Sequence, residues 1–94
     1  MSRAIQNNGI KRALAPVAPG GTPTLLLPAN AARVSALLRN NGSVTVFLGN
    51  DNTVTPASGT PLLAGEAIRD ISTSDAWWGV TAGTAGDIRG FEVT

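Results

Sequence analysis

Arg33-Val34-Ser35-Ala36-Leu37-Leu38-Arg39-Asn40-Asn41-Gly42-Ser43-Val44-Thr45-Val46-Phe47-Leu48-Gly49 carries the strongest secondary-structure signal in the chain. Its second half is β-branched and aromatic and its middle is Asn-Asn-Gly-Ser, so it reads as two strands joined by a turn. A helix across residues 29–39 competes, because the alanines there have good helix propensity and Asn41-Gly42 is a stop signal. The strand reading is preferred because the next strand starts directly after Gly42, where a hairpin would place it. A two-residue turn would scatter the apolar residues over both faces. A three-residue loop, Asn41-Gly42-Ser43, sets Leu38 opposite Val46 and Ala36 opposite Leu48. Val34, Ala36, Leu38, Val44, Val46 and Leu48 then share the expected core face, with Leu37 and Phe47 on the other.

Further strand-like runs occupy residues 60–63, 67–71, 76–81 and 87–93, separated by Gly-, Asn-, Ser- and Asp-rich turns. Short strands at this spacing predict an all-β fold, a small antiparallel β-sandwich or barrel of six to seven strands. In Ala76-Trp77-Trp78-Gly79-Val80-Thr81 the period of two places Trp78 with Ala76 and Val80, and Trp77 with Gly79 and Thr81. Trp78 is expected inside and Trp77 outside.

Residues 1–28 show no periodicity, and Pro16, Pro19, Gly20, Gly21, Pro23 and Pro28 punctuate them. Proline fixes φ and removes a donor, so this segment reads as an extended N-terminal arm preceding a β domain over residues 29–94. A solvated tail is the alternative, but Ile5, Ile10, Leu14, Val17 and Leu25-Leu26-Leu27 are more apolar residues than such a tail normally carries. Residues 1–50 hold five cations and no acid, whereas residues 51–94 hold two cations against six acids, so the halves carry +5 and −4. Such a chain suits an acidic partner or a neighbouring copy of itself. Spread over fifty positions, five cations make no nucleic-acid stripe.

With 94 residues the chain has room for one domain, and it contains neither histidine nor cysteine. The usual general base, the commonest zinc ligands and all thiol chemistry are thereby removed, and no cofactor is expected. No run approaches a membrane span, and the first residues lack the apolar core of a signal peptide. A body this small, without disulfides or metals, often gains stability by oligomerising. Outward Leu37, Phe47 and Trp77 are the expected subunit contacts.

Candidate chemistry is sparse. Lys11, the only lysine, would need a body serine to form a nucleophilic dyad. Glu66 with Asp70, or Asp75 with Asp87, are conceivable acid-base pairs, yet each sits in or beside a turn. Gly49-Asn50-Asp51-Asn52-Thr53 lacks the further acids of a calcium loop, and Gly83-Thr84-Ala85-Gly86 lacks the lysine of a phosphate loop. Both read as turns. Adjacent Trp77 and Trp78 suggest a glycan-stacking platform, against the plainer reading of one core and one subunit-contact tryptophan.

The succession of a strand, Asn-Asn-Gly, a strand ending in Leu48-Gly49, Val54-Thr55 and Gly59-Thr60-Pro61-Leu62-Leu63-Ala64-Gly65-Glu66, then Trp77-Trp78-Gly79-Val80-Thr81, resembles small β-rich virion proteins of tailed bacteriophages. These include capsid decoration and head-fibre proteins, and the resemblance covers roughly residues 33–94. It implies a non-enzymatic structural protein on the capsid surface, made in the bacterial host cytoplasm, commonly a homotrimer. Its partner would be the major capsid protein, with no nucleic acid and no membrane. On that reading the arm makes the capsid contact through Arg3, Ile5, Ile10, Lys11, Arg12 and Leu14. A tail, neck or head-fibre module contacting a host receptor or glycan is the alternative.

Overall fold

The computed structural model describes residues 9–71 and 73–94. Eight strands follow in order: β1 (Lys11–Ala13), β2 (Thr24–Leu27), β3 (Ser35–Asn40), β4 (Val46–Gly49), β5 (Thr60–Leu62), β6 (Ala67–Asp70), β7 (Trp77–Val80) and β8 (Ile88–Val93). They form two antiparallel four-stranded sheets, ordered β1-β8-β3-β6 and β2-β7-β4-β5. The partners are nested, β1 with β8, β2 with β7, β3 with β6 and β4 with β5. A long hairpin rolled up in this way is the jelly-roll form of a β-sandwich. The all-β expectation holds, with eight strands in place of six to seven. Residues 35–40 are strand, so the competing helix is not formed.

Both additional strands come from the segment expected to be an arm. β1 lines up on β8, with Lys11 opposite Val93 and Ala13 opposite Phe91, and β2 lines up on β7. Val17 exchanges both backbone hydrogen bonds with Ile88 at 2.8 and 3.0 Å. Leu26 and Leu27 are buried in the interior. From Ile10 onward this segment is therefore part of the sandwich, and residue 28 marks no boundary between arm and body. Its prolines are compatible with that: Pro16, Pro19 and Pro23 lie between β1 and β2, and Pro28 follows β2, so none withholds a donor inside a strand. Arg3 and Ile5 lie outside the described residues.

The expected hairpin of residues 33–48 is also replaced. β3 and β4 belong to different sheets, so Leu38 faces Ile68 and Gly90 along its own sheet rather than Val46. Asn40 explains the crossing. It is completely buried, and its Nδ2 donates to the carbonyls of Val44 and Leu62, both at 2.8 Å, while its Oδ1 accepts from Gly42 N–H at 3.0 Å. The amide thus pins the end of β3 to the opposite sheet. Ala36, Leu38, Val46 and Leu48 are buried as expected, because in each strand they occupy the inward parity. With Leu26, Leu62 and Ile88 they form the core between the sheets. Val34 instead is 60% exposed: it precedes β3, and its neighbour Arg33 is the residue that turns inward. Val44, in the crossing before β4, is half-buried.

The tryptophans reverse the expected parity. A Cβ on Gly79 would lie 2.9 Å from Leu26 Cδ1 and 3.0 Å from Val46 Cγ1, so position 79 faces the core. Trp77, two residues away, packs against that core, and Trp78 faces outward. The space that a side chain at 79 would need is already filled. Gly90 answers a similar constraint on β8, where a Cβ would collide with the Leu37 carbonyl.

Candidate interaction surfaces

Alternation along antiparallel strands gathers loops 14–23, 41–45, 63–66 and 81–87 at one end of the sandwich and loops 28–34 and 50–59, with residues 73–76 before β7, at the other. At the second end Arg33 is sealed from solvent. Its guanidinium donates to the carbonyls of Asp75 at 2.7 Å and Pro28 at 2.6 Å, and to Glu92 at 3.2 Å, and lies 3.9 Å from Asp70. Asp70 also accepts from the Trp77 indole N–H at 2.8 Å and from Thr73 N–H at 3.1 Å. These buried charges tie two loops and both sheets together. Trp77, expected at a subunit contact, belongs to this cluster: an inward indole needs an acceptor, and Asp70 at the end of β6 supplies it.

The sequence-derived acid pairs are not brought together. Glu66 closes the β5–β6 turn by accepting from Leu63 N–H at 2.8 Å, while Asp70 sits at the far end of β6. Asp75 and Asp87 lie at opposite ends of the sandwich. Asp51 accepts from the backbone and hydroxyl of Thr53, and these bonds, the hydroxyl first, hold its carboxyl below its ordinary pKa. In residues 83–86 the Thr84 carbonyl accepts from the Thr81 hydroxyl at 2.7 Å, closing the β7–β8 connection.

The two outer faces of the sandwich differ chemically. On the β1-β8-β3-β6 sheet, Ala13, Phe91, Leu37 and Arg69 form one row across four strands, with Lys11, Val93 and Ser35 beside it and Arg89, Arg39 and Ala67 on the other side. Phe91, Val93 and Leu37 are half-buried and the four cations are exposed. The Lys11 ammonium stands 4.3 Å from the centre of the Phe91 ring, a cation–π contact. Arg89 makes two hydrogen bonds to Asp87, at 3.1 and 3.2 Å, and these, with one from Asn41, hold the Asp87 carboxyl below its ordinary pKa. Arg39 lies directly opposite Arg89, and neither the Arg39 nor the Arg69 guanidinium has a hydrogen-bond or ion-pair partner among the described residues.

On the β2-β7-β4-β5 sheet the positions of outer parity are Leu25, Trp78 and Gly49 in one row and Val80, Phe47 and Pro61 in the next, of which Val80 is nonetheless buried. None is charged. Val54 from loop 50–59 lies over Gly49, where an added Cβ would come within 2.7 Å of it, and Gly59 lies equally close over Phe47. A groove of about 420 Å³ continues this face toward the first end, lined by Val44, Thr45, Phe47, Thr81, Ala82 and Thr84.

The expected subunit residues are therefore dispersed: Leu37 on the cationic face, Phe47 on the neutral face, Trp77 inside. Of the expected capsid-contacting residues, Ile10, Lys11 and Arg12 are exposed, and Leu14 packs against the core. Sequence reasoning missed Arg39, Arg69, Arg89 and Phe91, whose shared outward parity has meaning only once β8, β3 and β6 are known to be neighbours. The chain matches no protein-family model, and no match is found among curated proteins or solved structures.

Proposed function

We propose that this chain is a non-enzymatic structural protein of a tailed-bacteriophage virion, a capsid decoration protein that assembles as a homotrimer and binds the major capsid protein on the particle surface. The observation that carries the reading is the nested strand pairing, since jelly rolls serve widely in viral capsid and lectin domains. Fold alone does not select a function, and the surfaces supply the remaining support. The buried polar groups Arg33, Asn40 and Asp70 hold the scaffold together, while a cationic outer face and a neutral one, the latter partly covered by Val54 and Gly59, remain for contacts. The subunit contact is reassigned from Trp77 to the neutral face, where Trp78 and Phe47 supply the aromatic anchors typical of interfaces. The reading predicts a trimer at micromolar concentration by light scattering and co-sedimentation with purified heads at high copy number. A 9.5 kDa monomer that stays in the supernatant would defeat it.

The outward Trp78 favours one second reading, a head-fibre or tail module that stacks a glycan ring on this indole. Binding on a glycan array that is abolished by Trp78→Ala, without sedimentation on heads, would select that reading instead.

A further inference from the structure

Exposed cations on a sheet normally alternate with acids or lie opposite them, because like charges directly across a ladder repel. The β1-β8-β3-β6 face departs from that. Arg39 faces Arg89 across the β3–β8 ladder, Arg69 stands diagonally beyond, and Lys11 lies at the β1 edge. Asp87 is the one acid sharing this parity, and Arg89 occupies it. Between the cations lie the half-buried side chains of Leu37 and Phe91. An apolar centre edged by arginines is the anatomy of a protein interface, where arginine is enriched and aromatic anchors sit centrally. Phosphate backbones recognised through charge have no use for that centre, and one phenylalanine is too few aromatic rings to stack successive bases.

We propose that this face is the docking surface for an acidic protein surface, with Arg39 and Arg69 forming ion pairs to its carboxylates around an apolar contact at Leu37 and Phe91. The inference rests on the decoration reading for the identity of that partner, the capsid protein. It transfers docking from a free arm to a folded sheet, to which residues 11–13 contribute as β1.

The test compares the full chain with R39Q/R69Q/R89Q and R39E/R69E/R89E, each checked for native β circular dichroism and an unchanged melting cooperativity. Binding is measured to purified heads, to poly-L-glutamate and to a 30-residue oligo-dT. The expected result is wild-type binding to heads that weakens with salt, since pairs at an exposed rim are screened over about 8 Å at physiological ionic strength. The glutamine variant should lose at least tenfold and the glutamate variant all measurable binding. Folded charge variants that bind heads like wild type would overturn the proposal. If wild type ignores heads, the decoration reading falls, and poly-glutamate decides this face: retention lost in the glutamine variant supports acid binding, and no retention overturns it. Tighter binding to oligo-dT than to poly-glutamate overturns it in favour of nucleic acid. Self-association that disappears in the glutamate variant overturns it in favour of a second copy.

Discussion

At the end of the sandwich where loops 41–45 and 63–66 meet, a neutral amide closes the gap between the sheets, whereas at the opposite end a guanidinium and two carboxylates do so. Asn40 satisfies both its donors and its acceptor with backbone groups. Arg33 serves Glu92, Asp70 and the carbonyls of two loops. Burying an amide costs little once its hydrogen bonds are made, but burying ions costs several kcal/mol that only a full set of partners offsets. The neutral end should therefore tolerate changes of pH and salt, and the charged end should fail abruptly when one member is lost.

Removing the guanidinium tests that contrast most severely. Arg33→Met keeps the volume but leaves Asp70 and Glu92 facing each other without their cation, and should cost about 3–5 kcal/mol in urea unfolding. A loss below that of Asn40→Leu would show that the charged cluster is not what secures this end. Asn40→Leu strands the carbonyls of Val44 and Leu62, for an expected loss of about 2 kcal/mol. Its melting temperature should fall equally at low and high salt, in contrast to the Arg33 variant. Trp77→Phe retains most of the packing and withdraws only the N–H from Asp70, a loss of about 1 kcal/mol, whereas Trp78→Phe should leave monomer stability unchanged. Equal losses for both would mean that the indoles face the same way.

The smallest effect concerns pH at the neutral end. Asp87 has its pKa lowered from the ordinary 3.8, chiefly by hydrogen bonds from Arg89 and then Asn41. A lowered carboxylate contributes stability that is present above 3.8 and lost as pH falls through its folded value. Asp87→Asn should remove a slight part of the acid sensitivity below that point and alter nothing at neutral pH. Because the carboxylate reaches solvent, a large change would be inconsistent with the geometry.

Much of the interior was legible in the sequence. Period-two alternation placed Ala36, Leu38, Val46 and Leu48 inside, because inward parity does not depend on which strands are neighbours. Pairing does depend on it, and a local turn rule cannot reveal that Asn40 turns inward and carries the chain to the other sheet. The tryptophan run was ambiguous for a related reason. Apolar residues on both faces leave parity undetermined, and the occupied space opposite Gly79 resolves it only in three dimensions. Charge misled in a different way: the basic half of the sequence pointed to the N-terminal segment, yet the cationic face draws Lys11 and Arg39 from one half and Arg69 and Arg89 from the other. Proline content alone does not exclude a segment from the body, because prolines confined to connections are compatible with edge strands.

Nesting sets an order on folding. Only β4 and β5 meet across a short loop, so they are the natural first hairpin, and each successive pair must close a longer chain segment at a rising entropic cost. β1 and β8 close last. The face that sets Arg39 opposite Arg89 exists only once β8 has reached β3, and a chain arrested before that late step lacks the assembled surface. Competence to dock is thus tied to the end of folding, and refolding followed by stopped-flow should show poly-glutamate binding appearing with the slowest phase rather than with the first gain of β structure.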